Sequence, residues 1–216
     1  MRGALRSPFM SSSRGSDPGF LTHHALRIKG FAKVETLVDM TALDGPGIES
    51  HLGRMAAAEL AMFREARALW QLTPQGKAAH PELLAADLDG VDLGGLKVHY
   101  HDFLELNTAF KTLCGDWQLR DGAPNDHSDA KYDKKVIGRL VDLNAEAQPV
   151  VSAMAAVLGR LTPYAPRLDA TCRLVQDGQQ NMFTGVMCGS FHDVWMELHE
   201  DLILTQGIDR SAEGSF

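Results

Sequence analysis

The sequence predicts a mainly α chain in which three helices and a small β-hairpin precede an α-helical bundle. Three observations predict it. Apolar residues recur at helical spacing through residues 20–60 and again from residue 96 onward. Between these stretches, Ala61–Phe63 and Ala68–Leu72 are two strand-compatible runs, and Arg64-Glu-Ala-Arg67 is short enough to turn between them. Glycine and proline clusters punctuate the remainder, notably at 89–95 and 121–129.

In order along the chain, residues 1–19 read as a disordered leader. Arg2, Arg6 and Arg14 stand there among small and polar residues, with no apolar block of the kind a signal peptide needs, and Met10 is an alternative start. Phe20, Leu21, Ala25, Leu26 and Ile28 lie near one face of a first helix that ends on Gly30. Phe31–Thr41 is a shorter second helix, with Val34, Leu37, Val38 and Thr41 at helical spacing. Asp44 is the N-cap of a third helix, whose stripe of Ile48, Leu52, Met55 and Ala56 continues to Leu60. After the hairpin, Thr73 caps a helix running to Leu88, with Pro74 at its first position, where the missing N–H costs nothing.

The three glycines of 89–95 predict a hinge between a domain at 20–88 and a helical domain at 96–216. Leu96, Tyr100, Phe103, Leu104, Phe110 and Leu113 predict a long helix through Trp117, and 121–129 a polar loop. Tyr132–Leu161 is helical, kinked or split at Pro149, and a shorter helix runs from about Pro166 to Gln176. The last helix, Ser190–Thr205, carries Val194, Trp195, Leu198, Leu202 and Ile203 and stops at Gly207. About four helices make the bundle, with no strand signal.

Bulk properties narrow the function. With 44% hydrophobic and 23% charged residues the chain buries a core rather than staying disordered. No apolar run approaches the roughly 20 residues of a membrane span. Cys114, Cys172 and Cys188 are far apart and form no C-x-x-C pair, which predicts reduced thiols and a cytoplasmic setting. A net charge of −7 argues against coating nucleic acid nonspecifically. Its distribution is uneven: residues 1–95 hold 10 Lys and Arg against 11 Asp and Glu, whereas residues 96–216 hold 11 against 17. The N-terminal half is therefore the half able to approach a polyanion.

Three helices and a hairpin are the order of a winged helix-turn-helix, whose third helix enters the DNA major groove. Residues 20–84 resemble the winged-helix domains of MarR-like bacterial regulators. The residues that carry the resemblance are ALRIKGFA at 25–32, LDGPGIESHLGRMAAAEL at 43–60 and WQLTPQGKAAH at 70–80. The last matches a Leu-Thr-Pro-x-Gly-Lys/Arg pattern that closes the wing in many such proteins. The C-terminal half, with CGDWQLRDGAPNDHSD at 114–129 and FHDVWMELHEDL at 191–202, resembles helical extensions of little-characterised bacterial transcriptional regulators. The resemblance implies a DNA-binding regulator that dimerises through helices outside the wing.

If the third helix lies in the groove, Ser50 and Arg54 face DNA, while Glu49 and Gly53 add little. Arg64 and Arg67 at the turn, with Lys77, complete a DNA-binding set, in a segment (20–80) holding seven basic and six acidic residues. In the helical half, Trp117, Arg120 and His127 line an effector pocket, with Arg120 available to a carboxylate or phosphate, or else the loop only caps a helix through Asp129. His192, Trp195 and His199 share a face of the last helix, and His101 and Glu105 share one of the long helix. These suit an effector or a metal, or else are hydrogen-bonded core residues, and with no H-E-x-x-H no metal or other cofactor is assigned. Asp193, Glu197, Glu200 and Asp201 read as a solvated face. There is no G-x-S-x-G, Walker loop or G-x-G-x-x-G, so no enzyme is expected. The sequence thus predicts a cytoplasmic, homodimeric transcription regulator that binds double-stranded DNA and senses a possible small-molecule effector. The alternative is a winged-helix interaction module that regulates a partner protein without binding DNA.

Overall fold

A computed structural model describes residues 15–209. Most of the expected leader, residues 1–14, lies outside them, as do residues 210–216 of the expected helical domain. Helix α1 (Pro18–Lys29) starts inside the leader as drawn from sequence, because Asp17 accepts from the Phe20 backbone N–H and Pro18 occupies the first turn. Helix α2 (Val34–Thr41) starts later than the periodicity suggests. The residues before it are held extended: Ala32 and Trp70 exchange both backbone hydrogen bonds, at 3.0 and 2.8 Å. Asp44 caps helix α3 (Gly45–Ala57) through the Gly47 N–H, as expected. The helix stops short of Leu60 because Glu59 turns into the left-handed region, φ 59°, to launch the hairpin.

Strands β1 (Ala61–Arg64) and β2 (Leu69–Leu72) pair antiparallel, Ala61 opposite Leu72 and Arg64 opposite Leu69. Glu65–Arg67 form a single 3₁₀ turn between them. Thr73 caps helix α4 (Pro74–Asp87) and also donates to the Glu59 carbonyl at 2.6 Å, locking the hairpin's exit to its entry. Gly76 is sterically required: a Cβ there would stand 1.9 Å from the Leu60 carbonyl oxygen.

The connector is shorter than the expected hinge. Of its glycines only Gly90 has positive φ, 76°, whereas Gly94 and Gly95 belong to helix α5 (Gly94–Gln118), where the Gly95 backbone passes close to Val157. A minimal hairpin follows, β3 (Leu119–Arg120) with β4 (Ala123–Pro124), which corrects the expectation of a strand-free C-terminal half. Helix α6 (Ala130–Val157) runs unbroken through Pro149, and a 3₁₀ turn, Gly159–Leu161, replaces its expected end. Helices α7 (Tyr164–Gln176), α8 (Asn181–Thr184) and α9 (Phe191–Gln206) complete the elements of the described residues. Ser190 caps α9 and Gly207 ends it in the left-handed region.

The protein is mainly helical with two apolar cores. One joins α1–α3 and the hairpin around Leu26, Leu37, Ile48, Leu52 and Leu72. The other joins α5, α6, α7 and α9 around Phe103, Phe110, Leu140, Leu168 and Trp195. Helices α1 and α9 meet between them, at a seam made largely of ionisable side chains. Among the described residues no helix is long and apolar enough to cross a membrane.

Candidate functional site

The expected DNA-contacting residues all reach solvent. The buried stripe of α3, Ile48, Leu52 and Met55, turns Ser50 and Arg54 outward. There the Arg54 guanidinium donates to Ser50 Oγ at 2.8 Å and to His51 Nδ1. Arg64 closes β1 beside Gln71, whose side-chain oxygen, turned toward it, accepts from Nε at 3.0 Å and Nη2 at 2.9 Å. Arg67 sits exposed in the 3₁₀ turn and Lys77 in the first turns of α4. The hairpin also exposes Phe63, packed at a tilt against Trp70.

The expected effector residues fall in two places. Trp117, Arg120 and His127 do converge. Trp117 is buried against His127 and Phe183, with ring centroids 4.3 and 4.8 Å apart. Arg120 pairs with Asp129 at 2.9 Å and lies over the Tyr132 ring. His127 contacts Asp133 at 3.1 Å, and Asp129 caps α6 through the N–H groups of Lys131 and Tyr132. Each of these polar groups has an internal partner that ties the β3–β4 loop to α6. His192, Trp195 and His199 face α5 instead. Trp195 is fully buried between Phe103, Phe110 and Phe191, and its indole N–H donates to Asn107 Oδ1 at 2.9 Å. His199 is buried against Tyr100 and Phe103. His192 Nδ1 is buried without a hydrogen-bond partner, and desolvation lowers its pKa. His101 and Glu105 are exposed and 3.8 Å apart on α5. Among the described residues no three His, Cys, Asp or Glu gather as metal ligands would.

The densest chemistry lies at the seam, and it corrects the reading of Asp193, Glu197, Glu200 and Asp201 as a solvated face. Asp193, Glu197 and Asp201 are buried. Their spacing of four puts them on one stripe of α9, opposite the apolar stripe that faces α5. Lys29 reaches Glu197 at 2.6 Å and Asp193 at 3.7 Å, Arg167 reaches Glu197 at 2.6 Å, and Arg27 reaches Glu200 at 3.5 Å. Asp193 also accepts from the backbone N–H groups of Cys188 and Gly189, both at 2.9 Å.

Asp201 is the hub. Arg160 donates to its Oδ1 from Nε and Nη2, at 3.3 and 3.2 Å, and from Nη1 to Asp87 at 2.6 Å. Thr205 and Tyr164 hydroxyls donate to the two Asp201 oxygens. From α1, His24 Nε2 lies 3.0 Å from Asp201 Oδ1 while its Nδ1 lies 2.8 Å from His80 Nε2 of α4. Burial pushes the Asp201 carboxyl up, but Arg160 and His24 outweigh it and hold the group well below the usual carboxylate range. Asp201 Oδ1, ionised, accepts the hydrogen bond from His24 Nε2–H, and one proton lies between His24 Nδ1 and His80 Nε2. His80 is held neutral: desolvation, then the neighbouring His24, His23, Arg27 and Arg160, bring its pKa down to about 3.

Sequence reasoning missed this network because its members come from five separate segments. The available signal was a pairing of counts: Arg27 and Lys29 on α1, with Arg160 and Arg167, match the four carboxylates of α9. No local periodicity connects them. No protein-family model matches the chain, no curated protein matches it, and no solved structure matches its fold.

Proposed function

We propose that residues 18–87 form a winged helix-turn-helix and that the chain is a DNA-binding transcription regulator, with α3 in the major groove and the β1–β2 hairpin as the wing. The observation that carries this reading is the order α2, a short turn at 42–44, α3 and a hairpin, with Ser50, Arg54, Arg64, Arg67 and Lys77 all outside the apolar core. The helical half then dimerises or senses a small ligand, and the ionic seam ties it to the DNA-contacting half.

Selection of bound duplexes from a random library at low salt tests the reading. Arg54→Ala is expected to weaken the selected site by about 1–3 kcal/mol, and Arg64→Ala to reduce the salt dependence of binding by about one counterion. Failure to recover any duplex overturns it. A second reading, a protein-interaction module that regulates a partner, draws support from Arg54 being hydrogen-bonded to Ser50 and His51 and from exposed Phe31 and Phe63 beside the hairpin. It predicts that Phe63→Ser, rather than Arg64→Ala, abolishes activity in the cell.

A further inference from the structure

A cleft of about 600 Å³ opens between α1, α3 and α4. That size lies in the range of small-molecule sites, roughly 300–1,000 Å³. Its apolar surface comes from Phe20, Met55, Leu60 and Leu83. Its polar residues carry both signs: Arg54 and His51 come from α3, Asp17 from the start of α1, and Asp87, already paired with Arg160, from the end of α4. Asp17 and His51 flank the same space above Gly19, where an added Cβ would stand 3.0 Å from Asp17 Oδ1 and 3.4 Å from His51 Nδ1. Asp17 Oδ1 caps α1, which leaves its second oxygen for another donor.

His23 also lines the cleft. It is 2% exposed, and its ring nitrogens make no well-formed hydrogen bond, the Gly76 backbone offering only a weak one. Desolvation lowers its pKa, against the opposing pull of the Gly76 backbone, so the ring is neutral and keeps one donor and one acceptor.

We propose that this cleft binds a small zwitterion with an apolar body, an apolar α-amino acid. The carboxylate pairs with Arg54 and His51, the ammonium with Asp17, and the side chain lies on Phe20, Met55 and Leu83 above His23. A simple organic anion would face Asp17 and a simple amine would face Arg54, so only a ligand with both charges satisfies the whole rim. Arg54 also belongs to the exposed face of α3. On the proposed DNA-binding reading, on which this consequence alone rests, ligand and DNA compete for one guanidinium.

Calorimetry and thermal unfolding of the full chain test the site without DNA. Leucine and phenylalanine are compared with 4-methylpentanoate, 3-phenylpropanoate, isopentylamine and phenethylamine. The zwitterions are expected to bind and raise Tm, and each one-charge analogue to bind at least tenfold more weakly. Arg54→Ala is expected to lower affinity about tenfold. Ala86→Phe, which fills the cleft from an exposed position, is expected to abolish binding while retaining the unliganded helical spectrum. Absence of binding at millimolar leucine and phenylalanine overturns the proposal, as does equal binding of the acids or amines, or undiminished binding by Ala86→Phe. Duplex binding with and without the amino acid is a separate measurement, so loss of the DNA-binding reading leaves the calorimetric result standing.

Discussion

Removing the Asp201 carboxylate would leave the Arg160 guanidinium, 1% exposed in its side chain, without its central partner. Breaking a buried ion pair from one side typically costs about 3–5 kcal/mol, because the remaining charge stays desolvated. Asp201→Ala is therefore expected to lower the urea unfolding free energy by that amount, while Arg27→Ala, whose partner Glu200 is at the seam's edge, should cost under about 1 kcal/mol. The histidines add a pH dependence. An unfolded chain protonates His80 near pH 6.5, whereas the folded chain holds it neutral until about pH 3. The His80 contribution is fully present above pH 6.5 and is lost as pH falls from 6.5 toward 3, at about 1.4 kcal/mol per pH unit for one proton. The lowered pKa values of His23 and His192 act in the same direction. Urea midpoints measured from pH 8 to pH 4 should fall with this sign, and His80→Gln should flatten the slope.

At the scale of elements, the tightest junction is the hairpin's exit into α4. Gly76→Ala sets a methyl group against the Leu60 carbonyl, which belongs to backbone and has no rotamer to escape into. The substitution should destabilise the chain by about 2 kcal/mol or more. Thr73→Ala, which removes only the cap, should cost about 1 kcal/mol. Thermal melts followed by circular dichroism separate the two. These elements were legible in the sequence because their signals are local: Asp44 and Thr73 as caps, the Arg64–Arg67 turn, and the spacing of Ile48, Leu52 and Met55. The late start of α2 was not, since it depends on Ala32 finding Trp70 across the fold. Nor was the role of the α9 carboxylates. Asp193, Glu197 and Asp201 have the spacing of a solvated stripe, and only the arrival of α1, α7 and the 3₁₀ turn at 159–161 makes that stripe interior. Trp195, read as an effector contact, sits among aromatic rings from α5 that the same long-range packing brings to it.

For the whole molecule, two apolar cores joined by an ionic seam make a prediction about cooperativity. The seam's buried pairs are little screened by salt, so wild type should unfold in one transition whose midpoint is insensitive to 0.5 M salt. Arg160→Met keeps much of the side-chain volume but removes the donors to Asp87, Asp201 and Thr205. In that variant, hydrogen exchange should show amides of α1–α4 opening before those of α5–α9. The contact between His24 and Asp201 joins residues 177 apart in the chain. A seam of this separation is among the last features to form as a chain leaves the ribosome. Until α9 has been synthesised, the face of α1 bearing His24, Arg27 and Lys29 has no carboxylates to meet and stays hydrated. The first core is free to assemble beforehand from contacts within residues 25–72. A refolding experiment should accordingly find the α1–α9 pairing in the slowest phase.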